Sequence, residues 1–290
     1  MKRKKKNRTR LKIIIICLLM VAVGAGSAGF YYLSHRPAKT TQEKAEVSKK
    51  KSTKKTKDEE TTTTKEDSSA TTQTEEPVEK KVVCIDAGHQ AKANNSKEAI
   101  GPGSSQTKPK VTGGATGIRT RNLESEINLK VALKLQTILQ ERGYTVIMCR
   151  TSQDVDMSNQ ERAAIANNAQ ADAFVRIHCD SSTSSNVSGA SGLAPANNNP
   201  YLSSELIASS QALTKSVLNH LVASTGTSNR GLSLVNNMSG INWAQVPVCL
   251  IEMGFLSNPT EDANLGTDSY QDKCATGIAD GIEAFLQEQQ

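Results

Sequence analysis

The chain has 290 residues and a formal net charge of +6, which suffices for one domain of ordinary size with appended segments. The charge is uneven, because residues 1–35 carry eight Lys or Arg and no acid, whereas residues 81–290 carry sixteen Lys or Arg and nineteen Asp or Glu. This mildly acidic C-terminal part argues against nucleic-acid binding, since a duplex-binding domain places its basic patch on the fold itself.

The N-terminal segment has the pattern of a membrane anchor. A basic segment, residues 1–12, precedes residues 13–34, where the uncharged apolar run reaches Leu33. A helix of this run is roughly 30 Å long, about the thickness of a hydrocarbon core. Because positive charge keeps the N-terminus cytoplasmic, we expect a single-pass signal-anchor at the cell membrane, with the rest of the chain outside. Cleavage of a signal peptide near Ala28 is the alternative and gives a secreted protein.

Residues 35–80 have the composition of a linker. Lys, Thr, Glu and Ser dominate this stretch, and few residues in it are apolar. Such a segment buries too little apolar surface to offset the entropy cost of ordering. We therefore predict a disordered linker, followed by a catalytic domain over residues 81–290.

The C-terminal part alternates predicted strands with predicted helices. Short runs of branched residues indicate strands, and apolar residues at helical spacing indicate helices. The predicted strands are 81–87, 145–149, 173–177, 232–235 and 246–253, and the predicted helices are 125–142, 159–169, 203–225 and 271–287. This order predicts a single α/β domain with a twisted, mostly parallel sheet flanked by helices on both faces.

Polar side chains follow several predicted strands. His89 follows the first strand in VVCIDAGHQ, His178 ends the third in ADAFVRIHCD, and Glu252 ends a later one in VPVCLIEMGF. Functional residues of such sheets gather beyond the carboxyl ends of the strands. Glu124 opens the first long helix, and two His with one Glu form a known catalytic zinc set. This pattern alone leaves a metal site and ordinary strand-end residues equally open.

Three acids near these positions have simpler interpretations. Glu124 is also what the positive end of a helix dipole favours, and Glu126 fits that role equally well. Asp86 is more readily a turn residue or a partner that orients a metal-binding imidazole than a ligand itself. The residues alone do not decide between these roles.

Four sequence blocks, in order, resemble the zinc-dependent N-acetylmuramoyl-L-alanine amidases of the amidase type 3 family. The resemblance covers residues 82–285, and its blocks are VVCIDAGHQ, ESEINLKVALKLQTILQERGYTVIMCRTSQD, QERAAIANNAQADAFVRIHCD and RGLSLVNNMSGINWAQVPVCLIEMGFLSNPTED. A similar family fold is implied, with a largely parallel sheet between helices. The implied activity is hydrolysis of the amide bond between N-acetylmuramic acid and the L-alanine of the peptidoglycan stem peptide.

The resemblance also implies roles for particular residues. His89, Glu124 and His178 correspond to the ligands of one Zn²⁺, and Glu252 corresponds to the catalytic general acid/base. Glu124 rather than Glu126 is the implied ligand, because ESEINL matches the motif that opens the family's first helix. Zinc makes a water molecule nucleophilic near neutral pH, which is the chemistry that amide hydrolysis needs.

Other residues in the family-like blocks carry weaker expectations. Arg150 and Arg162 are expected to pair with acids, with Asp154 as the partner of Arg150. Arg230 is a candidate for contacting the stem peptide. The loop over residues 90–123 is longer than the family pattern and is expected to lie at the site, where it shapes substrate choice.

Cys179 follows the proposed ligand His178 and is therefore a possible fourth ligand. We expect its thiol to lie on the opposite face of the sheet instead, because consecutive strand residues alternate. A wall-binding module with a weak site and a zinc peptidase acting within the stem peptide remain alternatives to the amidase. The expected partners are peptidoglycan and the membrane, without nucleic acid, and we expect a monomer.

Overall fold

The computed structural model describes residues 80–289. The predicted cytoplasmic segment 1–12, the anchor 13–34 and the linker 35–80, apart from its last residue, lie outside the described residues. Within the described part, no helix has the length and apolar character needed to cross a membrane.

Strands and helices alternate along the described chain. The strands are β1 (Val82–Ala87), β2 (Asn94–Ala99), β3 (Thr107–Val111), β4 (Thr145–Met148), β5 (Ala173–Asp180), β6 (Ala190–Pro195), β7 (Asn229–Val235) and β8 (Val248–Phe255). The helices are α1 (Glu124–Glu141), α2 (Asn159–Asn168), α3 (Ser204–Thr225), α4 (Ser239–Asn242), α5 (Pro259–Leu265) and α6 (Asp268–Glu288).

Six strands form the central sheet, in the order β4-β1-β5-β8-β6-β7. Neighbouring strands are parallel except for the antiparallel pair β6 and β8. The prediction of a mostly parallel sheet is therefore confirmed. β2 and β3 form a separate antiparallel hairpin inside the segment that the sequence presents as the loop 90–123.

Alternating strand residues pack against helices on the two faces of the sheet. On one face, Val83 and Ile85 of β1 belong to a core that includes residues of α1, α3 and α6. On the other face, Cys84 of β1 and Phe174 of β5 pack with residues of α2 and α4. The predicted helix layers on both faces are thus confirmed, and they leave the carboxyl ends of β1, β5 and β8 accessible to functional side chains.

Two strands of the central sheet also differ from the prediction. The strand β6 was not predicted, because its sequence ASGLAP consists of small residues with Gly and Pro, which are weak strand formers. The strand β5 extends to Asp180, so it continues for two residues past His178 instead of ending there. The added length arises because β5 continues to pair with β8 as far as Asp180 and Phe255.

Candidate metal centre

Three separate elements bring His89, Glu124 and His178 together. His89 follows β1, Glu124 is the first residue of α1, and His178 lies near the end of β5. The Nε2 atom of His89 and the Nδ1 atom of His178 lie 3.1 and 3.0 Å from the same Glu124 oxygen, Oε1. One potential ligand atom from each residue therefore lies within 4.8 Å of the others.

His89 is held by backbone geometry and by a carbonyl group. It has a left-handed conformation, with φ of 60°, directly after Gly88. Its Nδ1 atom lies 2.9 Å from the backbone oxygen of Thr112, so an Nδ1–H group donates to that carbonyl. This hydrogen bond leaves the Nε2 lone pair facing Glu124, which is the tautomer that a metal ligand requires.

Glu124 is buried and surrounded by hydrogen-bond donors. Its Oε2 atom accepts from the backbone N–H of Ala115 at 2.7 Å, and its Oε1 atom accepts from the backbone N–H of Cys179 at 3.2 Å. Burial alone raises the pKa of Glu124, but hydrogen bonds and charge interactions with His178 and His89 outweigh it and hold the pKa well below its usual range. The carboxylate is therefore ionised and available as a ligand, whereas Glu126 is exposed to solvent.

His178 is enclosed by the same group of residues. A Cβ atom at position 88 would collide with the His178 ring, so only glycine fits there. Burial lowers the pKa of His178 to about 4, against the opposing effect of Glu124. The imidazole is therefore neutral at physiological pH, and its buried Nε2 atom has no hydrogen-bond partner.

Glu252 lies beside His178, because the two residues are register partners on β8 and β5. Its Oε2 atom is buried without a hydrogen-bond partner. Burial, together with the carboxylates of Glu124 and Asp180, raises the pKa of Glu252 well above its usual range. A carboxyl group in this environment suits proton transfer, since a general acid/base works best with a pKa near the operating pH.

The donor set fits a divalent zinc ion. Two imidazoles and one carboxylate are a recurring ligand set of catalytic zinc sites. Around a tetrahedral ion with ligand distances of 2.0–2.1 Å, neighbouring ligand atoms are about 3.3 Å apart, close to the 3.1 and 3.0 Å separations of Glu124 Oε1 from the two histidines. Glu252 lies in the same cleft, and its buried Oε2 atom has no hydrogen-bond partner among the described residues.

The centre lies in a cleft of about 560 Å³. His89, Glu124, His178 and Glu252 all line it, so the structure brings the four main predicted residues into one cavity. One wall comes from the segment between Lys108 and Ala115, which includes the end of β3. The predicted loop 90–123 therefore lies at the site, as a hairpin with ordered strands.

Asp86 binds two arginines and does not, as its position suggested, orient a metal-binding histidine. It is fully buried, and it accepts from Arg162 Nη1 at 2.5 Å and from Arg176 Nε at 2.9 Å. The two arginine charges outweigh the effect of burial and hold the pKa of Asp86 below its usual range. No described hydrogen bond joins Asp86 to a histidine, because the two guanidinium groups occupy both carboxylate oxygens. Asp86 therefore acts on the site through the arginines.

Of the two arginines that were expected to pair with acids, only Arg162 does so. Arg162 pairs with an acid, as expected, and its Nη2 atom also donates to the backbone oxygen of His89 at 3.1 Å. Arg150 does not pair with Asp154. Its guanidinium donates to the backbone oxygens of Ala87 and Gly88 at the end of β1, of Ser125 at the start of α1, and of Ser152 after β4. The expected ion pair is wrong because these buried carbonyl groups need donors.

The remaining candidates lie outside the group of ligand atoms. Arg230 donates to the backbone oxygen of Ser188 and stacks over Phe255 at 5.1 Å, and it is not among the cleft-lining residues of the described chain. The Cys179 side chain packs in the core on the α1 side, and its Sγ atom is 3.6 Å from Asn128 Oδ1. Burial keeps the pKa of the Cys179 thiol well above its usual range, which disfavours the thiolate that binds metals.

Sequence reasoning missed two polar residues of the site. Asn128 donates to the Oε1 atom of Glu124 and to the backbone oxygen of Gly88, in both cases at 3.3 Å. The sequence could have indicated Asn128, because a residue four positions after Glu124 lies on the same face of α1 as Glu124. Arg176, on β5, lines the cleft. The sequence could have indicated this residue, because a charged side chain in an apolar strand two residues before His178 lies on the same face as His178.

The fold and the site together define an α/β enzyme with a candidate metal centre at the carboxyl ends of parallel strands. Residues 83–284 match the model of the amidase 3 family, described as N-acetylmuramoyl-L-alanine amidase. The chain belongs to this family. It is therefore an amidase of cell-wall peptidoglycan, in agreement with the resemblance of its four sequence blocks.

Individual proteins are also similar to this chain. The uncharacterized protein YqiI of Bacillus subtilis is 31% identical over 210 residues, which cover 72% of this chain and 87% of that protein. The germination-specific N-acetylmuramoyl-L-alanine amidase of Bacillus subtilis is 29% identical, with 73% and 82% covered. The catalytic domain of CwlV, an N-acetylmuramoyl-L-alanine amidase from Bacillus (Paenibacillus) polymyxa, is similar with a TM-score of 0.58 at 31% identity, over 71% of this chain and 98% of that one.

Proposed function

We propose that this amidase is zinc-dependent, with His89, Glu124 and His178 as the metal ligands and Glu252 as the general acid/base. The bond it cuts joins the lactyl carbonyl of N-acetylmuramic acid to the amine of L-alanine. The observation that carries the proposal is the convergence of two histidines on one buried Glu124 oxygen, with Glu252 beside them in the same cleft.

His89, Glu124 and His178 would hold the ion. When bound, zinc supplies a Lewis acid that makes water nucleophilic near pH 7 and stabilises developing negative charge on the carbonyl oxygen. Two hydrogen bonds fix the position of His89. Arg162 donates to its backbone oxygen, and its Nδ1–H group donates to the backbone oxygen of Thr112. The N–H groups of Ala115 and Cys179 orient Glu124, so the ligands are positioned before the ion binds.

Glu252 moves the protons of the reaction. Its carboxylate accepts a proton from the attacking water and then donates that proton to the leaving L-alanine amine. Burial raises the pKa of Glu252, which makes its carboxylate a stronger base for the first transfer. The products are a glycan strand without its peptide and a stem peptide with a free N-terminal L-alanine.

The experiment that tests this activity is product analysis. The full chain is incubated with purified peptidoglycan, and the released peptides are measured by mass spectrometry and N-terminal labelling. We expect peptides that begin with L-alanine and carry a new free amine. Peptides that lack L-alanine would show cleavage within the stem peptide, and binding without any release would show a wall-binding module.

We also propose that residues 13–34 anchor the enzyme at the membrane, with the linker 35–80 placing the catalytic domain on the extracytoplasmic side. The support is the basic segment 1–12 followed by an uncharged apolar run. Cell fractionation with an alkaline wash tests the anchor, because a spanning segment stays with the membrane. A mature protein that begins just after Ala28 in the culture medium would overturn the anchor in favour of a cleaved signal peptide.

A further inference from the structure

Arg176 is a buried arginine of the cleft that the zinc mechanism does not use. It lies on β5 two residues before His178, so both side chains leave the sheet on the same face. Its register partners are Asp86 on β1 and Leu250 on β8. The residue is only 3% exposed, yet it lines the cleft that contains the metal centre.

Two of the three guanidinium nitrogens of Arg176 have acceptors. Nε donates to Asp86 Oδ2 at 2.9 Å, and Nη2 donates to Asn159 Oδ1 at 2.7 Å. Nη1 has no acceptor among the residues that the structure describes. Nη1 is not enclosed by protein atoms, so it can donate to a ligand oxygen that enters the cleft.

Neighbouring acids do not supply the missing acceptor. Asp86 is shared between Arg176 and Arg162, so one carboxylate serves two guanidinium groups. The carboxylate of Glu98, which is also buried on this side, accepts from the hydroxyl of Ser239 and from the backbone N–H of Gln160. The carboxyl group of Glu252 interacts with the charge of Arg176 but makes no hydrogen bond with it, so Nη1 remains available to an anionic ligand.

Gly240 leaves room for the guanidinium group. A Cβ atom at this position would collide with Nη1 and Cζ of Arg176, so any other residue displaces the side chain. Gly240 and Asn159 also line the cleft, which therefore extends from the metal centre along this face of the sheet to Arg176. Arg176 and the proposed metal ligands therefore line one cavity.

We propose that Arg176 binds a carboxylate of the stem peptide and thereby selects the substrate. This inference rests on the proposed amidase function. Arg176 and His178 are two strand residues apart, or about 6.6 Å, and an extended peptide covers this distance in about two residues. The bound group is thus the free carboxylate of the second peptide residue, and a charged acceptor gives the stronger hydrogen bond with Arg.

The test compares two soluble muramoyl peptides that differ only at the second peptide residue, which carries either a free carboxylate or a carboxamide. For the wild-type full chain we expect kcat/KM to be at least about tenfold higher with the carboxylate, mainly through KM. Arg176→Gln abolishes this preference, Arg176→Lys retains part of it, and Gly240→Ala reduces it without removing any charge. Equal rates for the two substrates with the wild type, or an unchanged preference in Arg176→Gln, would overturn the assignment.

A binding measurement separates this inference from the amidase activity and from folding. Calorimetry on the chelator-treated full chain measures Kd for the two product peptides, and we expect the carboxylate peptide to bind at least about tenfold more tightly. A purely structural role of Arg176 changes the unfolding temperature or zinc content but moves both Kd values equally. If neither muramoyl peptide is cleaved, the proposed function fails, while the ratio of Kd values still decides the role of Arg176.

Discussion

His178 and Glu252 are register partners on the adjacent parallel strands β5 and β8. Their side chains therefore leave the sheet on the same face, on backbones about 4.8 Å apart. Glu252 has no described side-chain hydrogen bond that fixes it. The pairing of two strands, rather than a polar network, thus sets the distance between the proposed ligand and the proposed general base.

Gly88 is predicted to strengthen metal binding by leaving room for the His178 ring. In Gly88→Ala, the new methyl group collides with the His178 ring and displaces it. We expect zinc affinity to fall at least about tenfold, as it does when ligand orientation is lost. Competition with a chromophoric chelator measures this affinity. Gly113→Ala is the matched control, because a Cβ atom there meets open space, and it should bind zinc like the wild type.

The ion pairs of Asp86 are predicted to stabilise the fold strongly. Asp86→Asn leaves Arg162 and Arg176 buried without their shared carboxylate, and breaking such a pair costs about 3–5 kcal/mol. Chemical denaturation measures the free energy of unfolding. Asp280→Asn breaks an ion pair with Arg142 at a partly exposed site, and we expect a loss of about 0–1 kcal/mol. Equal losses in the two variants would contradict the role of Asp86.

Glu252 is predicted to make the metal-free protein less stable at high pH. Its folded-state pKa is raised above 4.5, so the stability that it contributes is complete below about pH 4.5 and is lost as the pH rises through the folded-state pKa. Glu252→Gln removes this loss. With a chelator present, we expect the unfolding temperature of Glu252→Gln to exceed that of the wild type at pH 8, and the gap to narrow by pH 4. A gap that does not change with pH would argue against a raised pKa.

Much of the site could be predicted from the sequence, because its residues lie at the ends of regular elements. A strand ending in a histidine and a helix opening with Glu124 place those side chains at one edge of the sheet. The choice of Glu124 over Glu126 needed the family motif, since both residues lie in the first helical turn. The structure supplies the physical difference: Glu124 faces the two histidines and Glu126 faces solvent.

Other features depended on tertiary structure and could not be predicted. The guanidinium of Arg150 binds backbone oxygens from three chain segments, and no spacing in the sequence indicates such contacts. The partners of Asp86 come from α2 and β5, which are 76 and 90 residues away. The strand β6 forms because β8 and β7 provide pairing partners on both sides, despite a sequence with weak strand preference.

The most direct test of the central claim measures zinc content and turnover together in Glu252→Gln and His178→Ala. If His178 holds the ion and Glu252 moves protons, Glu252→Gln retains one zinc per chain and loses about 10²–10⁴-fold in turnover of peptidoglycan, whereas His178→Ala loses both zinc and turnover. Glu126→Gln serves as the control and keeps both. A Glu252→Gln variant with near wild-type turnover, or a His178→Ala variant that still binds zinc with wild-type affinity, would contradict the proposed site.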